Sequence, residues 1–154
     1  TAVEHFLCCV EGCNLAFKLF FCPFKTVGVN ISNCNKLATV TVDDSEGAKL
    51  FTLGTQGGTT GVFGGCTSLK TIDLKNRATI IGNYAFNNSG LTSITIPDSV
   101  TTIGQSAFTY CTALTSITFE CTVVQWNAIT KGYNWSFNVP ATKVICSDGV
   151  VSLV

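Results

Sequence analysis

The residues best suited to chemistry in this chain are its nine cysteines and its single histidine. A dense group near the N-terminus consists of His5, Cys8, Cys9, Cys13 and Cys22. Zinc sites favour two short Cys or His pairs at set spacings, but the gaps here are 3, 1, 4 and 9 residues, with no second such pair. The spacing therefore favours an irregular N-terminal segment, and we expect no metal.

Three further cysteines occupy the same position of a sequence repeat, which is described below. Cys34, Cys66 and Cys111 share this position with Ser89, and Cys13 falls one residue away from it. Side chains stacked there would form either a metal or disulfide ladder or a row of buried thiols. Because free cysteine is among the most buried residue types and Ser89 interrupts the series, the pattern favours buried thiols.

Cys121 and Cys146 lie outside this series. An oxidising compartment would allow a disulfide between them, whereas a reducing one would keep both as thiols. Nothing in their spacing requires the two residues to meet, so both states remain open.

The sequence contains no catalytic or cofactor-binding motif. A Ser-His-Asp set needs a well-held histidine, and His5 lies close to the first residue. The glycine pairs at 57–58 and 64–65 lack the lysine of a phosphate-binding loop. Asp43 and Asp44 are neighbours at a strand end, so their carboxylates point apart. We therefore predict a protein that is not an enzyme and that holds no cofactor.

The composition is that of a neutral globular chain. Nine basic and nine acidic residues cancel among 154, which disfavours nucleic acid as a partner because phosphates require a basic patch. Two uncharged stretches of about 20 residues carry too much Thr, Ser and Gly for a hydrocarbon core, so we predict no membrane insertion in this segment. The length favours one domain, and we expect any export signal or anchor to lie outside this sequence.

The middle of the chain repeats with a fixed period. Two aliphatic series recur at intervals of 22 and 23 residues: Ile72, Ile94 and Ile117, and Leu69, Leu91 and Leu114. A period held to within one residue over three copies predicts a solenoid, in which each coil buries its apolar side against the next.

Each unit contains an alternating strand pattern. We expect Ile94 and Ile96 to point inward and Ser93 and Thr95 to point to solvent. Pro97 cannot donate a ladder hydrogen bond and should end the strand. Later in the unit, we expect glycine at position 104 to permit a backbone turn that a side chain would block. Ala107–Phe108 should then return an apolar plug to the core. The fold class predicted is an α/β-type solenoid made mostly of β-strands.

The repeat continues upstream in degraded form. Residues 34–42 match the first half of the unit, but Cys34 precedes Cys66 by 32 residues, so about nine residues are inserted. We place this insertion in a loop within 43–62, because that segment is rich in Gly and Thr.

The first residues carry a weaker copy. Residues 17–23 have the spacing of residues 91–97, which aligns Phe20 with Ile94, and Val27–Gly28 stands in for Ile103–Gly104. We therefore predict a single repeat domain over 1–154 with about five strand-bearing coils. It divides into a degenerate first coil over 1–32, a repeat array over 33–119 and a C-terminal cap over 120–154.

One unit shows the complete pattern, carried by Leu91, Ile94, Ile96, Pro97, Val100, Ile103, Gly104, Ala107, Phe108 and Cys111. This pattern resembles the BspA-type leucine-rich repeat of bacterial and protist surface proteins. The likeness is specific over residues 63–119 and weak over residues 13–62. Residues 120–149 are similar to a C-terminal cap that follows such arrays. The unit around Leu74 departs from the pattern because it lacks the proline.

The resemblance implies a right-handed solenoid with strands on one face. It also implies a cell-surface or secreted protein that binds other proteins, often in adhesion, and it implies no catalytic residue.

The exposed strand positions form a face rich in hydroxyl groups. They are Thr39, Thr41, Lys70, Thr71, Asp73, Thr92, Ser93, Thr95, Thr115, Ser116 and Thr118. Such a face offers hydrogen bonds to a protein ligand (a host matrix or cell-surface protein), to a glycan or, as a regular grid, to ice. The alternative is that threonine is enriched here because it suits the pleated backbone.

Trp126 and Trp135 have two interpretations. An exposed tryptophan is a candidate interface anchor, but a tryptophan at the end of a solenoid more often packs over the last coil, and we expect the latter. The leading interpretation of the chain is a non-enzymatic leucine-rich-repeat module for protein binding or adhesion. The alternative is a structural spacer or stalk of a larger surface protein, with the binding part elsewhere.

Overall fold

The structure is a computed structural model, and it describes residues 17–19, 31–42, 51–54 and 61–153. In chain order the strands described are β1 (Phe17–Leu19), β2 (Thr39–Val42), β3 (Phe51–Leu53), β4 (Thr71–Asp73), β5 (Ala78–Ile81), β6 (Ser93–Ile96), β7 (Thr102–Ile103), β8 (Ser116–Phe119), β9 (Thr130–Lys131), β10 (Lys143–Cys146) and β11 (Gly149–Ser152). A 3₁₀ turn spans Lys75–Arg77, and one α-helix, α1, spans Val123–Ala128.

These strands form two sheets. The main sheet has the order β1-β2-β4-β6-β8-β10-β11, and the second sheet has the order β3-β5-β7-β9. Every pairing is parallel except that of β10 with β11. The chain thus alternates between the sheets, which is the path of a repeat solenoid.

The register confirms the predicted stacking of aliphatic residues. Ile94 pairs with Ile117, and Val40 pairs with Ile72. The Asp73–Thr95 pair places Ile72 beside Ile94 in the neighbouring strands. Because each coil repeats the same inward positions, the buried residues of both sheets join one core cluster.

The predicted apolar plug forms a column of stacked rings. The ring centroids of Phe63 and Phe86 lie 5.4 Å apart, as do those of Phe86 and Phe108. Trp135 continues the column edge-on, 6.2 Å from Phe108. All three phenylalanines are fully buried, so this column contributes hydrophobic and aromatic stabilisation to every coil it crosses.

The turn that carries this column contains left-handed residues at two positions, four residues apart. With φ between 52° and 61°, they are Tyr84 and Asn88, Ser106 and Tyr110, and Asn134 and Asn138. This conformation costs a residue with a β-carbon about 1–2 kcal/mol. It persists because backbone hydrogen bonds between successive turns hold it, such as Tyr84 N–H to Gln105 O at 2.9 Å.

Gly104 lies at a turn where a side chain would be blocked, as predicted. Its backbone is not left-handed, but a β-carbon there would lie 2.5 Å from the backbone nitrogen of Asn83. A β-carbon at Gly132 would lie 2.3 Å from the backbone nitrogen of Gln105. Close approach between the backbones of neighbouring coils therefore excludes a side chain at both glycines.

The upstream predictions need two corrections. Phe17 pairs with Val40, so Phe17 takes the register predicted for Phe20, a shift of three residues. The segment 43–62 is not one loop, because β3 lies within it and pairs with β5; inserted residues lie on both sides of this strand. Residues 20–30, which include Val27–Gly28, lie outside the part of the chain that the structure describes.

The C-terminal segment adds one strand to the second sheet and two strands to the main sheet. α1 begins with a capping box, in which Thr122 and Gln125 each accept the other's backbone N–H. β9 then joins the second sheet, β10 joins the main sheet, and β11 covers the edge of β10. Of the helical residues described, none form a segment long and apolar enough to cross a bilayer.

Candidate binding surface

The outer face of the main sheet gathers most of the predicted site residues. Ser93 pairs with Ser116 and Thr95 pairs with Thr118, so hydroxyl side chains line up across β6 and β8. On its other side Thr95 pairs with Asp73. The more exposed members are Thr39, Thr71, Asp73 and Thr95, and the half-buried ones are Ser93, Ser116 and Thr118. Thr41 lies in β2 opposite Asp73, and its side chain is outside the described part of the structure.

Lys70, Thr92 and Thr115 lie just before the strands rather than within them. The hydroxyl of Thr92 donates to the carbonyl oxygen of Lys70 at 3.2 Å, and that of Thr115 donates to the carbonyl oxygen of Thr92 at 3.4 Å. These two hydroxyls therefore tie successive coils together. By contrast, the hydroxyls of Thr95 and Thr118 have no hydrogen-bond partner in the described part of the chain, so they are available to a ligand.

An open groove of about 610 Å³ lies at the carboxyl ends of β4, β6 and β8. It is lined by Asp73, Lys75, Asn76, Arg77, Thr95, Pro97 and Glu120. Asp73 and Thr95 belong to both the groove and the outer face, so the two surfaces are continuous. We refer to the outer face and this groove together as the binding surface.

The charges of the groove are balanced. Lys75 Nζ lies 2.7 Å from Asp73 Oδ2, and the Lys75 backbone N–H donates to Asp73 Oδ1 at 3.0 Å. These contacts with Lys75 lower the pKa of Asp73 below its ordinary value. Arg77 and Glu120 add a second pair of opposite charges, so the groove can meet both signs of charge on a ligand.

The sequence patterns did not identify Lys75, Asn76, Arg77 and Glu120 as members of the groove. The signal for the first three was the missing proline after Leu74, since Lys75 occupies the position that Pro97 holds in the next unit. Without proline, Lys75 adopts a left-handed backbone with φ of 50° and turns toward Asp73. Glu120 carried no comparable signal.

Cys66 and Cys111 of the cysteine series are buried free thiols, as the pattern favoured, whereas Cys34 is half-buried. Cys66 Sγ donates to the carbonyl oxygen of Ile31 at 3.2 Å, and Cys111 Sγ donates to that of Phe86 at 2.9 Å. Burial raises the pKa of Cys66 to about 12 and also raises that of Cys111. Since the thiolate is the metal ligand and the nucleophile, these thiols are suited to packing rather than to chemistry.

The remaining cysteines divide into two groups. Cys121 and Cys146 are free thiols in neighbouring segments, where Ser147 N–H donates to the Cys121 carbonyl oxygen at 2.9 Å. The pKa of Cys146 is raised, first by burial and then by the nearby Asp148 and Cys121. The group of His5, Cys8, Cys9, Cys13 and Cys22 lies outside the described residues.

The tryptophans pack against the C-terminal end of the core, as expected, with Trp126 buried and Trp135 half-buried. Trp126 is 2% exposed and its ring lies 5.4 Å from that of Phe119 and 5.6 Å from that of Trp135. Lys131 Nζ lies 4.6 Å from the centre of the Trp126 ring and donates to the Trp126 carbonyl oxygen at 2.6 Å. Burial lowers the pKa of Lys131. Trp126 is thus a core residue and not an interface anchor.

Comparison with known proteins decides the family. Residues 59–143 match the BspA type leucine rich repeat region, described as six copies. The chain belongs to this BspA-type family. No curated protein matches it.

A solved structure supports the same assignment. The BspA-type chain is similar to a leucine rich cell surface protein from Faecalibacterium prausnitzii A2-165, with 38% identity and a TM-score of 0.54. The similarity covers 64% of this chain and 24% of that one. The family and this neighbour are typical of non-enzymatic proteins, and they indicate a BspA-type repeat module of a surface protein.

Proposed function

We propose that this chain is a non-enzymatic ligand-binding module of a cell-surface or secreted protein, acting in adhesion through its binding surface. The ligand is a protein, such as a host matrix or cell-surface protein. In this proposal the solenoid is right-handed, with about five strand-bearing coils ahead of its C-terminal cap. The observation that carries the proposal is the continuity of available hydroxyls on Thr95 and Thr118 with the charged groove.

The chemistry of this surface suits a polar protein ligand. Neighbouring strands hold the outer side chains about 4.8 Å apart, and a rigid sheet loses little conformational freedom on binding. Hydroxyls both donate and accept hydrogen bonds. Opposite charges in the groove give specificity by matching charges on the partner.

A binding screen with matched variants tests this proposal. The folded chain is immobilised and exposed to purified matrix proteins, to cell-surface proteins and to a glycan array. For a protein that binds, the double variant Thr95→Lys with Thr118→Glu should weaken affinity by about tenfold or more, because it disrupts the central contact area. The control is Thr130→Lys, at an exposed position of the second sheet.

Three outcomes would contradict the proposal. One is that no protein binds the folded chain, and another is that the control weakens binding as much as the double variant. The third is that only glycans bind, which would assign the surface to the other ligand class.

A spacer function is the second candidate. Several hydroxyls form hydrogen bonds between coils. The Ser99 hydroxyl donates to the carbonyl oxygen of Ala78 at 2.7 Å, and the Thr101 hydroxyl donates to that of Thr79 at 3.2 Å. This observation favours a structural reason for part of the threonine content. If a larger parent protein binds its partner equally well with the double variant, the spacer function is favoured.

A further inference from the structure

The C-terminal segment from residue 120 onward, which we call the last coil, carries most of the exposed large apolar side chains of the described residues. Five of the six exposed large hydrophobic residues belong to it: Val124, Tyr133, Phe137, Ile145 and Val150. The sixth, Tyr110, contacts Phe137 edge-on with 5.9 Å between ring centroids. A terminal repeat of a solenoid normally has a polar outer face, so these residues call for an explanation.

Backbone hydrogen bonds show what covers the equivalent surface of each earlier turn. In one turn the N–H groups of Tyr84, Phe86 and Asn88 donate to the carbonyl oxygens of Gln105, Ala107 and Thr109 at 2.8–2.9 Å. In the next turn those of Ser106, Phe108 and Tyr110 donate to Tyr133, Trp135 and Phe137 at 2.8–3.0 Å. Three alternate donors in one turn thus meet three alternate carbonyls of the following segment.

The last turn repeats these donors without their acceptors. The equivalent N–H groups belong to Asn134, Ser136 and Asn138, and none has a hydrogen-bond partner in the described part of the chain. Asn134 and Asn138 have φ of 53° and 56°, as at the same two positions of the earlier turns. The turn is therefore preformed in the conformation that binds a row of carbonyls. We call this turn, residues 133–138, the end face.

A complete further coil would not fit beside this end face. Its strand in the main sheet would have to pair with β10 on the side away from β8, and antiparallel β11 already occupies that side. Among the described strands β9 is the edge of the second sheet, so no described strand pairs beyond the end face. The open space therefore fits a single extended segment rather than a coil.

We propose that the end face binds an extended segment of a partner polypeptide. The segment supplies three alternate backbone carbonyls to the N–H groups of Asn134, Ser136 and Asn138, and its apolar side chains pack on Tyr133 and Phe137. Main-chain hydrogen bonds give affinity in strand addition, and side-chain contacts give specificity. A glycan or a lipid surface would lack acceptors repeated at the two-residue spacing of a polypeptide.

A peptide drawn from this chain is the first probe. A fluorescein-labelled peptide with the sequence of residues 132–139 contains the carbonyls that cover the preceding turn. It is titrated against the full chain, and binding is followed by fluorescence anisotropy. We expect saturable binding, and slowed amide hydrogen exchange at Asn134, Ser136 and Asn138.

Variants taken from the earlier turns provide the specificity test. Tyr133→Gln and Phe137→Thr introduce the residues found at the equivalent positions, Gln105 and Thr109, and each should weaken binding by about tenfold. Val124→Thr removes an exposed apolar residue outside the end face and should leave binding unchanged. Because Tyr133 is 76% exposed and Phe137 is 52% exposed, the folded state should tolerate both changes, which circular dichroism checks.

Each contrary result would overturn the proposal. Absence of peptide binding would do so, as would binding that Tyr133→Gln and Phe137→Thr leave intact. Sedimentation of the chain alone gives a further test. A dimer that these two variants dissociate would assign the end face to a second copy instead of a separate partner.

Discussion

Gly104 packs against Asn83 so closely that a β-carbon on Gly104 would lie 2.5 Å from the Asn83 backbone nitrogen. The two residues also mark the junction of successive coils, since Gln105 N–H donates to Asn83 Oδ1 at 2.9 Å. The spacing between coils at this corner is therefore set by backbone contact, and glycine is the residue that allows it.

Gly104→Ala should destabilise the fold by about 2 kcal/mol or more, because backbone atoms cannot move aside as a flexible side chain can. The control is Gly64→Ala, where the nearest atom to the new β-carbon would be 3.5 Å away. Urea unfolding of both variants gives the comparison. Equal losses of unfolding free energy would show that coil spacing does not depend on this contact.

Cys111→Ala should lower the free energy of unfolding by about 1–2 kcal/mol. The change leaves a cavity and removes the donor from the Phe86 carbonyl oxygen, which Cys111 Sγ contacts at 2.9 Å. Thr112→Ala, at the exposed adjacent position, is the control and should have little effect. A Cys111→Ala protein as stable as the parent would show that the buried thiol does not stabilise the fold.

Stability should fall as the pH rises above about 9. The folded protein holds the pKa of Cys66 at about 12, against an ordinary value of 9.0, because burial disfavours the thiolate. The folded state therefore binds the Cys66 proton more tightly than the unfolded state. The resulting contribution to the free energy of unfolding is complete below pH 9.0 and is lost as the pH rises toward about 12. Denaturant unfolding at pH 8 to 11 should show a smaller decline in Cys66→Ala than in the parent, and parallel curves would refute the prediction.

Asn88→Val should destabilise the protein by about 1–2 kcal/mol. Asn88 has φ of 54°, a conformation that β-branched residues strongly resist and that glycine adopts freely. Asn88→Gly should therefore be nearly neutral, which separates the backbone effect from loss of the side chain. Thermal unfolding of the two variants decides the matter, and the prediction is wrong if valine is tolerated as well as glycine.

The middle of the fold was predictable because its period has one consistent solution. Ile72, Ile94 and Ile117 can bury their side chains together only if successive coils stack in register, and the phenylalanine column obeys the same condition. The first coil was harder to place. Residues 17–22 are apolar at several positions, so spacing alone favoured Phe20, whereas pairing with β2 selects Phe17.

The sequence predicted the outer face of the binding surface but not its groove. Alternation along a strand determines which residues face outward, and this located Asp73 and Thr95. It did not locate Glu120, because a groove depends on which turn residues three separate strands bring to the same edge. It also did not distinguish Thr92, whose hydroxyl is engaged between coils, from Thr95, whose hydroxyl is available.

By itself, the sequence determined the repeat, its inward residues and the family, because local periodicity is written into residue spacing. Only the tertiary structure decided which groups form contacts between neighbouring coils and which remain open at the end face. Whether a hydroxyl is engaged in a hydrogen bond and whether Asn134, Ser136 and Asn138 lack acceptors both depend on the neighbouring coil. Those contacts join residues more than 20 positions apart, and they form only when the coils stack.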